Sequence, residues 1–246
     1  MAEMNGRRVV VTGGSSGIGL ATARALLDRG ARVCVVARDP DRLGTVVESL
    51  GNSAWGHVAD VSEPDQVDDL ATAVASRWGA LDGLVNNAGL ATMATLLATD
   101  ADTWDRTFAV NVRGPFLLLR ALHALLAAGT SSAVVNVSST LAEKAIPGMA
   151  AYNASKAALN QLTRSVAVEW APAIRVNAVM PAVIDTPIHE SRGMSRDDVV
   201  AMGALHPMGR VGTAEDVAAT VVHLLSDAAS WLTGVIVPVD GGMMAT

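Results

Sequence analysis

The sequence predicts an α/β fold in which a seven-stranded parallel sheet carries helices on both faces. Seven short apolar or β-branched runs alternate with helical stretches, the order expected of strands joined by crossover helices. These runs are apolar almost throughout instead of alternating with polar residues, so both sheet faces should be covered. A glycine-rich turn stands between the first run and the first helical stretch, where such sheets bind ligands. Together these observations predict a doubly wound sheet.

The elements follow in order from composition and from the residues typical of helix ends. The predicted strands are 7–12, 32–37, 54–59, 83–86, 133–137, 175–179 and 235–239. A helix is expected over 20–29, with Gly30 as its C-terminal cap. The expected N-caps of later helices are Asp39 before Pro40, Ser62, and Thr213 in Thr-x-x-Asp. The least regular stretch, 187–210, is the expected substrate lid of a single domain that spans residues 1–246.

Composition excludes several classes of partner. The chain of 246 residues is 50% hydrophobic and 17% charged, which is enough to build one large core. A net charge of −6, with Lys and Arg scattered, argues against nucleic acid as a partner. The one cysteine, Cys34, and the five histidines show no metal-ligand spacing, so no metal site is predicted. Residues 1–8 lack an apolar targeting segment and no long uncharged apolar stretch follows, so we expect a cytoplasmic protein without a membrane partner.

The only tyrosine of the chain, Tyr152, lies four residues before Lys156. Residues four apart share a face of a helix, so the ammonium should lie beside the phenol. At about 5 Å and an effective dielectric of ~20, this charge favours phenolate by roughly 3 kcal/mol, which lowers the phenol pKa from ~10 by about two units. Such a phenol exchanges protons near neutral pH. The alternative is an exposed helical pair without chemical function.

The turn after the first strand reads Thr12-Gly13-Gly14-Ser15-Ser16-Gly17-Ile18-Gly19. Glycines permit a tight turn and let a pyrophosphate approach the backbone, and the free N–H groups of the following helix attract the anion. The same residues spell Gly13-x-Ser15-x-Gly17, the nucleophile elbow of serine hydrolases. That elbow needs earlier strands and an oxyanion loop, yet only a dozen residues precede this turn. Hydrolysis is therefore the weaker interpretation.

Motifs spread over nearly the whole chain resemble the short-chain dehydrogenase/reductase family, in its short single-domain branch. They are the glycine turn 12–19, Asp60, Asn86-Asn87-Ala88-Gly89, Asn111, Ser139, Tyr152-x-x-x-Lys156 and Asp240-Gly241-Gly242. The resemblance implies a Rossmann-type sheet and an oxidoreductase that binds a nicotinamide cofactor. Two departures concern loop geometry: Ala182 follows Pro181 where the family usually has glycine, and Ala142 stands where glycine often occurs.

The resemblance implies four catalytic residues. Tyr152 would be the general acid in carbonyl reduction, or the base in alcohol oxidation, and Lys156 would lower its pKa and bind the nicotinamide ribose. Ser139 ends the fifth strand at the ligand-binding edge of the sheet and would hold the substrate oxygen. Its neighbour Ser138 competes for this role, and a serine that only satisfies backbone is the alternative.

Asn111 matches the family's proton-relay asparagine. Pro115 lies four residues later and has no N–H, so within a helix the Asn111 carbonyl would lose its donor and be free to hold a water. An ordinary proline kink is the alternative.

The cofactor is predicted from the end of the second strand, Ala37-Arg38-Asp39. An acidic residue in place of Ala37 would bind the ribose 2′-hydroxyl of NAD, whereas alanine followed by arginine favours the 2′-phosphate of NADP. NADP(H) is therefore expected and NAD(H) is the alternative, since Arg38 could also be a solvated surface residue and Asp39 a helix cap. The resemblance assigns further cofactor contacts to Gly13, Ser15, Ser16, Gly17, Ile18, Gly19, Asp60, Val61, Asn87, Ala88, Gly89, Tyr152, Lys156, Pro181, Ile184 and Thr186. Asn86 could instead tie neighbouring strands together.

The sequence says less about the substrate. The apolar and histidine side chains of the expected lid would suit a flexible apolar pocket, although methionines more often only pack; they are Met194, Met202, Leu205, Met208, His189 and His206. The family's 3-oxoacyl thioester and polyketide-type ketoreductases are the leading expectation, ahead of steroid or sugar-alcohol enzymes. The resemblance also implies a homotetramer that uses the Tyr152 helix and the C-terminal strand as interfaces. An NAD-linked oxidising dehydrogenase and a nucleotide sensor without catalysis are the remaining alternatives.

Overall fold

The computed structural model describes residues 4–246, apart from the side chains of residues 190–192. Its strands are β1 (Arg8–Thr12), β2 (Arg32–Ala37), β3 (Ala54–Val58), β4 (Gly83–Asn86), β5 (Ala133–Val137), β6 (Arg175–Pro181) and β7 (Ile236–Val239). They form one sheet of order β3-β2-β1-β4-β5-β6-β7 in which every neighbouring pair is parallel. The predicted doubly wound, seven-stranded parallel sheet is therefore confirmed, and each strand end lies within about two residues of its predicted position.

Helices connect the strands and cover both faces of the sheet. They are α1 (Gly17–Leu27), α2 (Pro40–Leu50), α3 (Pro64–Trp78), α4 (Ala101–Phe108), α5 (Gly114–Ala127), α6 (Ala150–Trp170), α7 (Arg196–Ala201) and α8 (Ala214–Leu225). Between α4 and α5 the helix widens into one π turn, Ala109–Arg113.

The core lies in two layers that sandwich the sheet. In β1, Val9 and Val11 face the layer that contains α1 and α8, and Val10 faces the layer that contains α3, α5 and α6. Cys34 lies in the second layer with no exposed surface, and burial raises the pKa of its thiol. Because successive residues of a strand point to opposite faces, a strand covered on both sides must be apolar throughout, as these are.

Helix ends follow the expected chemistry at two of the three predicted N-caps. Asp39 accepts a hydrogen bond from the Arg42 N–H (3.0 Å), and Thr213 forms a capping box with Asp216. Ser62 does not cap α3: its N–H and hydroxyl both donate to Asp60 Oδ1, and Glu63 is the N-cap residue.

The first helix differs from its prediction at both ends. It begins at Gly17, because the last glycines of the turn are already helical, and it ends at Leu27. Gly30 is left-handed (φ +85°), as a helix-terminating glycine should be, and its N–H donates to the Leu27 carbonyl oxygen at 2.9 Å. The glycine therefore closes the turn that follows the helix.

One helical run, 101–127, is long and apolar enough to cross a membrane by length and composition, with a mean hydropathy of 1.2 in its most apolar window. Leu118, Leu122 and Leu126 of α5 are almost fully buried in the second core layer. Packing under the sheet therefore accounts for the apolar character of this run.

The expected lid contains short helical segments. They are the 3₁₀ turn Pro187–Arg192, α7, and a second 3₁₀ turn, Met202–Leu205. The Arg196 side chain pairs with Asp185 at 3.2 Å, and the Met208 N–H donates to the Gly241 carbonyl oxygen at 3.1 Å. These contacts fasten the stretch to the loop after β6 and to the C-terminal residues.

Candidate active site

The site lies at the carboxyl edge of the sheet, where β1 and β4 are neighbours. The chain proceeds from β1 towards β2 on one side and from β4 towards β5 on the other. The connections thus diverge and leave a crevice, which is where doubly wound sheets bind ligands.

Thr12 and Asn87 hold the glycine turn against the loop that follows β4. The Asn87 side-chain amide donates to the carbonyl oxygens of Thr12 (2.9 Å) and Gly13 (3.1 Å). Thr12 Oγ1 accepts the N–H groups of Asn87 (3.0 Å) and Ala88 (3.1 Å). Gly13 is left-handed (φ +61°), and a Cβ at Gly19 would collide with the Gly13 carbonyl oxygen. The turn therefore needs these glycines for its own packing.

The start of α1 offers hydrogen-bond donors for an anion. The first intrahelical bond runs from the Leu20 N–H to the Ser16 carbonyl oxygen (3.1 Å), so the N–H groups of Gly17, Ile18 and Gly19 precede it. Ser16 is the N-cap residue, but its hydroxyl does not cap the helix. With the half-buried Ser15 beside it, this donor set fits the pyrophosphate of a dinucleotide.

Tyr152 and Lys156 lie one turn apart on α6, and both side chains are buried, at 7% and 4% exposure. Lys156 Nζ lies 5.7 Å from the centroid of the tyrosine ring and donates to the Val137 carbonyl oxygen at 2.8 Å. Burial lowers the pKa of Lys156 to about 8. The burial of both groups excludes an exposed surface pair.

Asn111 lies in the π turn between α4 and α5. The Gly114 N–H donates to the Ala109 carbonyl oxygen, and Pro115 has no N–H to give to the Asn111 carbonyl. The disturbance predicted from Pro115 is thus a widened turn of the kind often found at functional sites. The Asn111 side chain exchanges hydrogen bonds with the backbone of Leu90 (2.8 and 2.9 Å), which fixes the loop after β4.

Ser155, which no sequence motif predicted as a site residue, joins these two parts of the site. Its hydroxyl accepts a hydrogen bond from the Asn111 amide (2.9 Å) and donates to the Tyr152 carbonyl oxygen (2.7 Å). Gly89 completes the contact region, since a Cβ there would lie 3.6 Å from both Asn111 Oδ1 and Lys156 Nζ. The only sequence signal for Ser155 is its position beside Lys156.

The two serines after β5 have different surroundings. Ser138 is buried, and its hydroxyl points to the Lys156 carbonyl oxygen at 3.4 Å. Ser139 Oγ accepts the N–H of Leu141 at 3.1 Å, so its own proton is left for another acceptor. This geometry favours Ser139 over Ser138 as the donor to a substrate oxygen.

Arg38 and Asp60 meet at the ends of β2 and β3. Arg38 Nη1 lies 3.6 Å from Asp60 Oδ2, and the arginine side chain is 72% exposed. Burial acts to raise the pKa of Asp60, but the hydrogen bonds from Ser62 and the charge of Arg38 outweigh it, so the pKa lies below its usual range. Val61 is buried next to them, against Gly114.

The segment after β6 reaches the glycine turn. Pro181 is the last residue of β6, and Thr186 lies 3.2 Å from where a Gly17 Cβ would be. Ile184 accepts, through its carbonyl oxygen, the Thr186 hydroxyl at 3.3 Å, and His189 Nε2 lies 2.9 Å from the same oxygen.

Asn86 is structural, as its alternative interpretation held. Its side-chain amide donates to Asn136 Oδ1 (2.8 Å), and this bond ties β4 to β5.

A cavity of about 420 Å³ lies beside the C-terminal residues instead of at Tyr152. Its lining includes His206, Met208, Arg210 and Asp240, together with backbone around Ile184. Of the side chains expected to form an apolar pocket in the lid, His206 and Met208 line this cavity. His189 contacts the carbonyl oxygen of Ile184, another lining residue.

Comparisons with known proteins agree with this geometry. A family model described as enoyl-(acyl carrier protein) reductase matches residues 13–244. Cis-4-hydroxycyclohexanecarboxylate dehydrogenase of Sinomonas cyclohexanicum is 41% identical over 252 aligned residues and is covered, like this chain, over 100% of its length. The chain belongs to the short-chain dehydrogenase/reductase family.

Two further members of the short-chain dehydrogenase/reductase family extend the comparison. 2-(S)-hydroxypropyl-CoM dehydrogenase 3 of Xanthobacter autotrophicus is 39% identical over 96% of each chain. The solved structure of Thermoplasma acidophilum aldohexose dehydrogenase has a TM-score of 0.90 at 31% identity, over 99% of this chain and 96% of that one.

As a short-chain dehydrogenase/reductase, the protein is an oxidoreductase of alcohols and ketones that uses a nicotinamide cofactor. The resemblance drawn from the motifs is confirmed. The family model and these dehydrogenases support neither the serine hydrolase suggested by Ser15 nor a sensor without catalysis.

Proposed function

We propose that the enzyme transfers hydride between NADP(H) and a ketone or secondary alcohol, as a carbonyl reductase or secondary alcohol dehydrogenase. The observation that carries the proposal is the buried pair of Tyr152 and Lys156, with the ammonium 5.7 Å from the phenol ring. Ser139 and Asn111 complete the catalytic set.

The proton chemistry follows from these groups. In reduction, the Tyr152 hydroxyl gives its proton to the carbonyl oxygen, and the Ser139 hydroxyl donates a hydrogen bond to the same oxygen. When bound, NADPH would supply the hydride to the carbonyl carbon, and the products would be the alcohol and NADP⁺. In oxidation, the phenolate of Tyr152 takes the proton of the alcohol. The Lys156 charge stabilises that phenolate, because an opposite charge within a few ångströms favours the ionised form.

Proton exchange with solvent is assigned to Asn111 and Lys156. Because Pro115 supplies no N–H, the Asn111 carbonyl is available to a water that would connect Lys156 to solvent. The alternative of a proline kink without function predicts no effect on proton transfer.

Four groups of residues would hold the cofactor. The N–H groups of Gly17, Ile18 and Gly19, with Gly13, Ser15 and Ser16, would hold the pyrophosphate. Asp60 and Val61 would contact the adenine, and the ribose contacts would come from Asn87, Ala88, Gly89, Tyr152 and Lys156. Pro181, Ile184 and Thr186 would contact the nicotinamide.

The preference for NADP(H) rests on Arg38. Its exposed guanidinium can pair with a 2′-phosphate, and Ala37 offers no carboxylate to a 2′-hydroxyl. Asp39 is occupied as the cap of α2. The guanidinium of Arg38 already pairs with Asp60 and must leave this partner to bind a 2′-phosphate. NAD(H) is therefore the alternative cofactor.

The substrate class, the cellular location, the oligomeric state and the lid complete the proposal. The leading substrates are 3-oxoacyl thioester or polyketide-type ketones, followed by steroids and sugar alcohols. We place the enzyme in the cytoplasm as a homotetramer, in which residues 187–210 close over the substrate as a lid.

A spectrophotometric assay at ~340 nm, with NADPH, NADH and a panel of ketones and alcohols, tests this function. Tyr152→Phe should lower kcat by at least about 100-fold, because it removes the general acid. The dissociation constant of NADPH, measured by fluorescence titration, should change by less than about fivefold, since Tyr152 supplies only one of the ribose contacts and those of the turn are intact. Undiminished turnover in Tyr152→Phe would refute the acid role.

A further inference from the structure

One buried hydroxyl links the π turn to the helix that carries Tyr152 and Lys156. Ser155 lies on α6 with 0% exposure, directly before Lys156. Its Oγ accepts a hydrogen bond from the Asn111 side-chain amide at 2.9 Å and donates one to the Tyr152 carbonyl oxygen at 2.7 Å. The hydroxyl therefore connects two residues to which steps of the proton chemistry are assigned.

The single proton of Ser155 sets the orientation of the Asn111 amide. A carbonyl oxygen can only accept, so the hydroxyl proton points to Tyr152 and the Ser155 oxygen is left as an acceptor. Asn111 must therefore turn its NH₂ group to Ser155. The second proton of that NH₂ group goes to the Leu90 carbonyl oxygen (2.9 Å), and Oδ1 accepts the Leu90 N–H (2.8 Å). The side chain of Asn111 thus acts as a clamp, and the water is assigned to its backbone carbonyl.

The turn that carries Asn111 is held at two ends. A π turn is a rare helical geometry. At the end near the loop after β3, Arg113 Nη2 donates to the Ser62 carbonyl oxygen at 2.9 Å. At the other end, Asn111 is bound to Ser155 beside Lys156. Loss of the Ser155 hydroxyl would leave the first attachment intact, so movement should be confined to the end beside Lys156.

We infer that Ser155 is a positioning residue for proton exchange. Its hydroxyl holds Asn111, so that the backbone carbonyl of Asn111 stays in place for the water that would connect Lys156 to solvent. This inference rests on the proposed hydride transfer at Tyr152. A displaced group slows the step that uses it, whereas the glycine turn and the loop after β3, which would hold the dinucleotide, keep their own contacts.

Thr163 provides a matched control on the same helix. It is 0% exposed, and its hydroxyl accepts the Asn136 amide at 2.8 Å and donates to the Leu159 carbonyl oxygen at 2.8 Å. It thus repeats the bonding pattern of Ser155 about two turns further along α6. Ser155→Ala and Thr163→Val should both lower Tm, on the order of 2–6 °C, because each leaves a buried amide N–H without its acceptor. Ser155→Cys, which nearly keeps the side-chain volume, is the second variant at the site.

Hydrogen exchange of the Leu90 N–H measures the position of Asn111 without a substrate. This N–H donates to Asn111 Oδ1, and loosening of the amide should expose it to water. We expect Ser155→Ala and Ser155→Cys to speed its exchange by about fivefold, the value of roughly one hydrogen bond. Thr163→Val should leave the exchange rate within about twofold of wild type. Exchange at the wild-type rate in both Ser155 variants would overturn the positioning role.

Alcohol oxidation measures the consequence for proton exchange. The alcohols are cyclohexanol, 2-octanol and galactitol, each with NADP⁺ and NAD⁺ in H₂O and in D₂O. With any alcohol that the wild type oxidises, Ser155→Ala should lower kcat by about tenfold or more and raise the solvent isotope effect on kcat, because transfer of the proton to solvent becomes the slow step. The dissociation constant of NADPH should stay within about twofold of wild type. Thr163→Val should keep the kcat and the solvent isotope effect of the wild type.

The outcomes separate this inference from the function on which it rests. Faster Leu90 exchange with an unchanged kcat and solvent isotope effect would overturn the role of Ser155 in proton exchange and leave hydride transfer standing. An equal loss of kcat in Ser155→Ala and Thr163→Val would have the same meaning, since it would trace the loss to the stability of α6. If the wild type oxidised none of the three alcohols and reduced none of the corresponding ketones, the proposed function would fall, while Leu90 exchange would still decide whether Ser155 holds Asn111.

Discussion

Lys156 carries a positive charge that the protein interior opposes. Burial lowers its pKa to about 8 in the folded protein, whereas an unfolded chain holds the proton up to pH ~10.4. Between these values the unfolded state binds more protons, so the stability contributed by this group rises with pH. Lys156→Met should abolish that rise, which is up to roughly 3 kcal/mol at about 1.4 kcal/mol per pKa unit.

Urea unfolding of the wild type and of Lys156→Met at pH 7.5 and pH 10 measures this difference. Groups that titrate in both proteins contribute equally to the change in unfolding free energy, so the difference between the two proteins isolates the contribution of Lys156. If the free energy of unfolding changes equally in both proteins between these pH values, the pKa of Lys156 is not lowered in the folded protein.

We expect Arg38 to decide the choice between the two nicotinamide dinucleotides. Its ion pair with Asp60 is 3.6 Å long and exposed, so a 2′-phosphate can compete for the guanidinium. Arg38→Ala should raise the dissociation constant of NADPH by about tenfold or more, the value of a hydrogen bond to a charged group, and should change that of NADH little. Fluorescence titration with both dinucleotides measures it, and Arg106→Ala on α4 is the control. Equal effects on both cofactors would favour NAD(H).

The proximity of Tyr152 and Lys156 could be predicted because it depends on local spacing. Tyr152 and Lys156 share a face of α6 by helix geometry alone. Ser155 could not be found in this way, since its role depends on Asn111, which lies 44 residues earlier in the chain. Asn87 was expected only as a cofactor contact. Its side-chain amide also holds the glycine turn in place through hydrogen bonds to the carbonyl oxygens of Thr12 and Gly13.

The turn between β1 and α1 is the element in which glycine is most strictly required. A Cβ at Gly19 would collide with the Gly13 carbonyl oxygen, whereas one at Gly44 in α2 would meet nothing within 4 Å. Gly19→Ala should therefore destabilise the protein and weaken dinucleotide binding, because the turn must open to admit the methyl group. Gly44→Ala should stabilise it by about 0.5–1 kcal/mol, the usual gain for glycine in a helix interior.

Thermal unfolding with and without NADPH distinguishes the two glycine variants. Gly19→Ala should lower Tm and reduce its rise on cofactor addition, while Gly44→Ala should raise Tm and keep that rise. A Gly19→Ala variant as stable and as responsive as the wild type would contradict the packing argument.

Element ends were predicted well where one residue decides them and less well where residues compete. Asp39 and Thr213 cap helices because their side chains face free N–H groups with no nearer acceptor. Ser62 instead bonds to Asp60, whose carboxylate lies two residues earlier and accepts more strongly. The π turn around Asn111 was indicated only in part, because Pro115 predicts a lost hydrogen bond but not how the helix adapts to it.

At the scale of the whole molecule, the sheet could be predicted because its inner strands are apolar almost throughout. Its order brings together parts of the chain that no local pattern connects. The cavity beside His206 is an example, since its walls combine residues 182–184 after β6 with residues 238–242 at the end of β7.

Assembly is the prediction that belongs to this scale. Val168 on α6 and Trp231 before β7 are 84% and 98% exposed, and they lie on or next to the two elements through which a homotetramer is proposed. Multi-angle light scattering should therefore give the mass of four chains. Val168→Glu should shift the population to smaller species, because it places a charge in an apolar interface. A wild-type protein that is active and has the mass of one chain would contradict the proposed tetramer.

Because Cys34 is buried in the middle of β2, the rate at which its thiol is labelled measures how often the central sheet opens. Its thiol is fully enclosed, and burial suppresses the thiolate that alkylating reagents need. Iodoacetamide can thus react only during rare openings of the central sheet. A bound dinucleotide should make those openings rarer. The rate at which the Cys34 sulfur is alkylated would therefore report the affinity of the protein for any dinucleotide, without a chromophore or an assay of turnover.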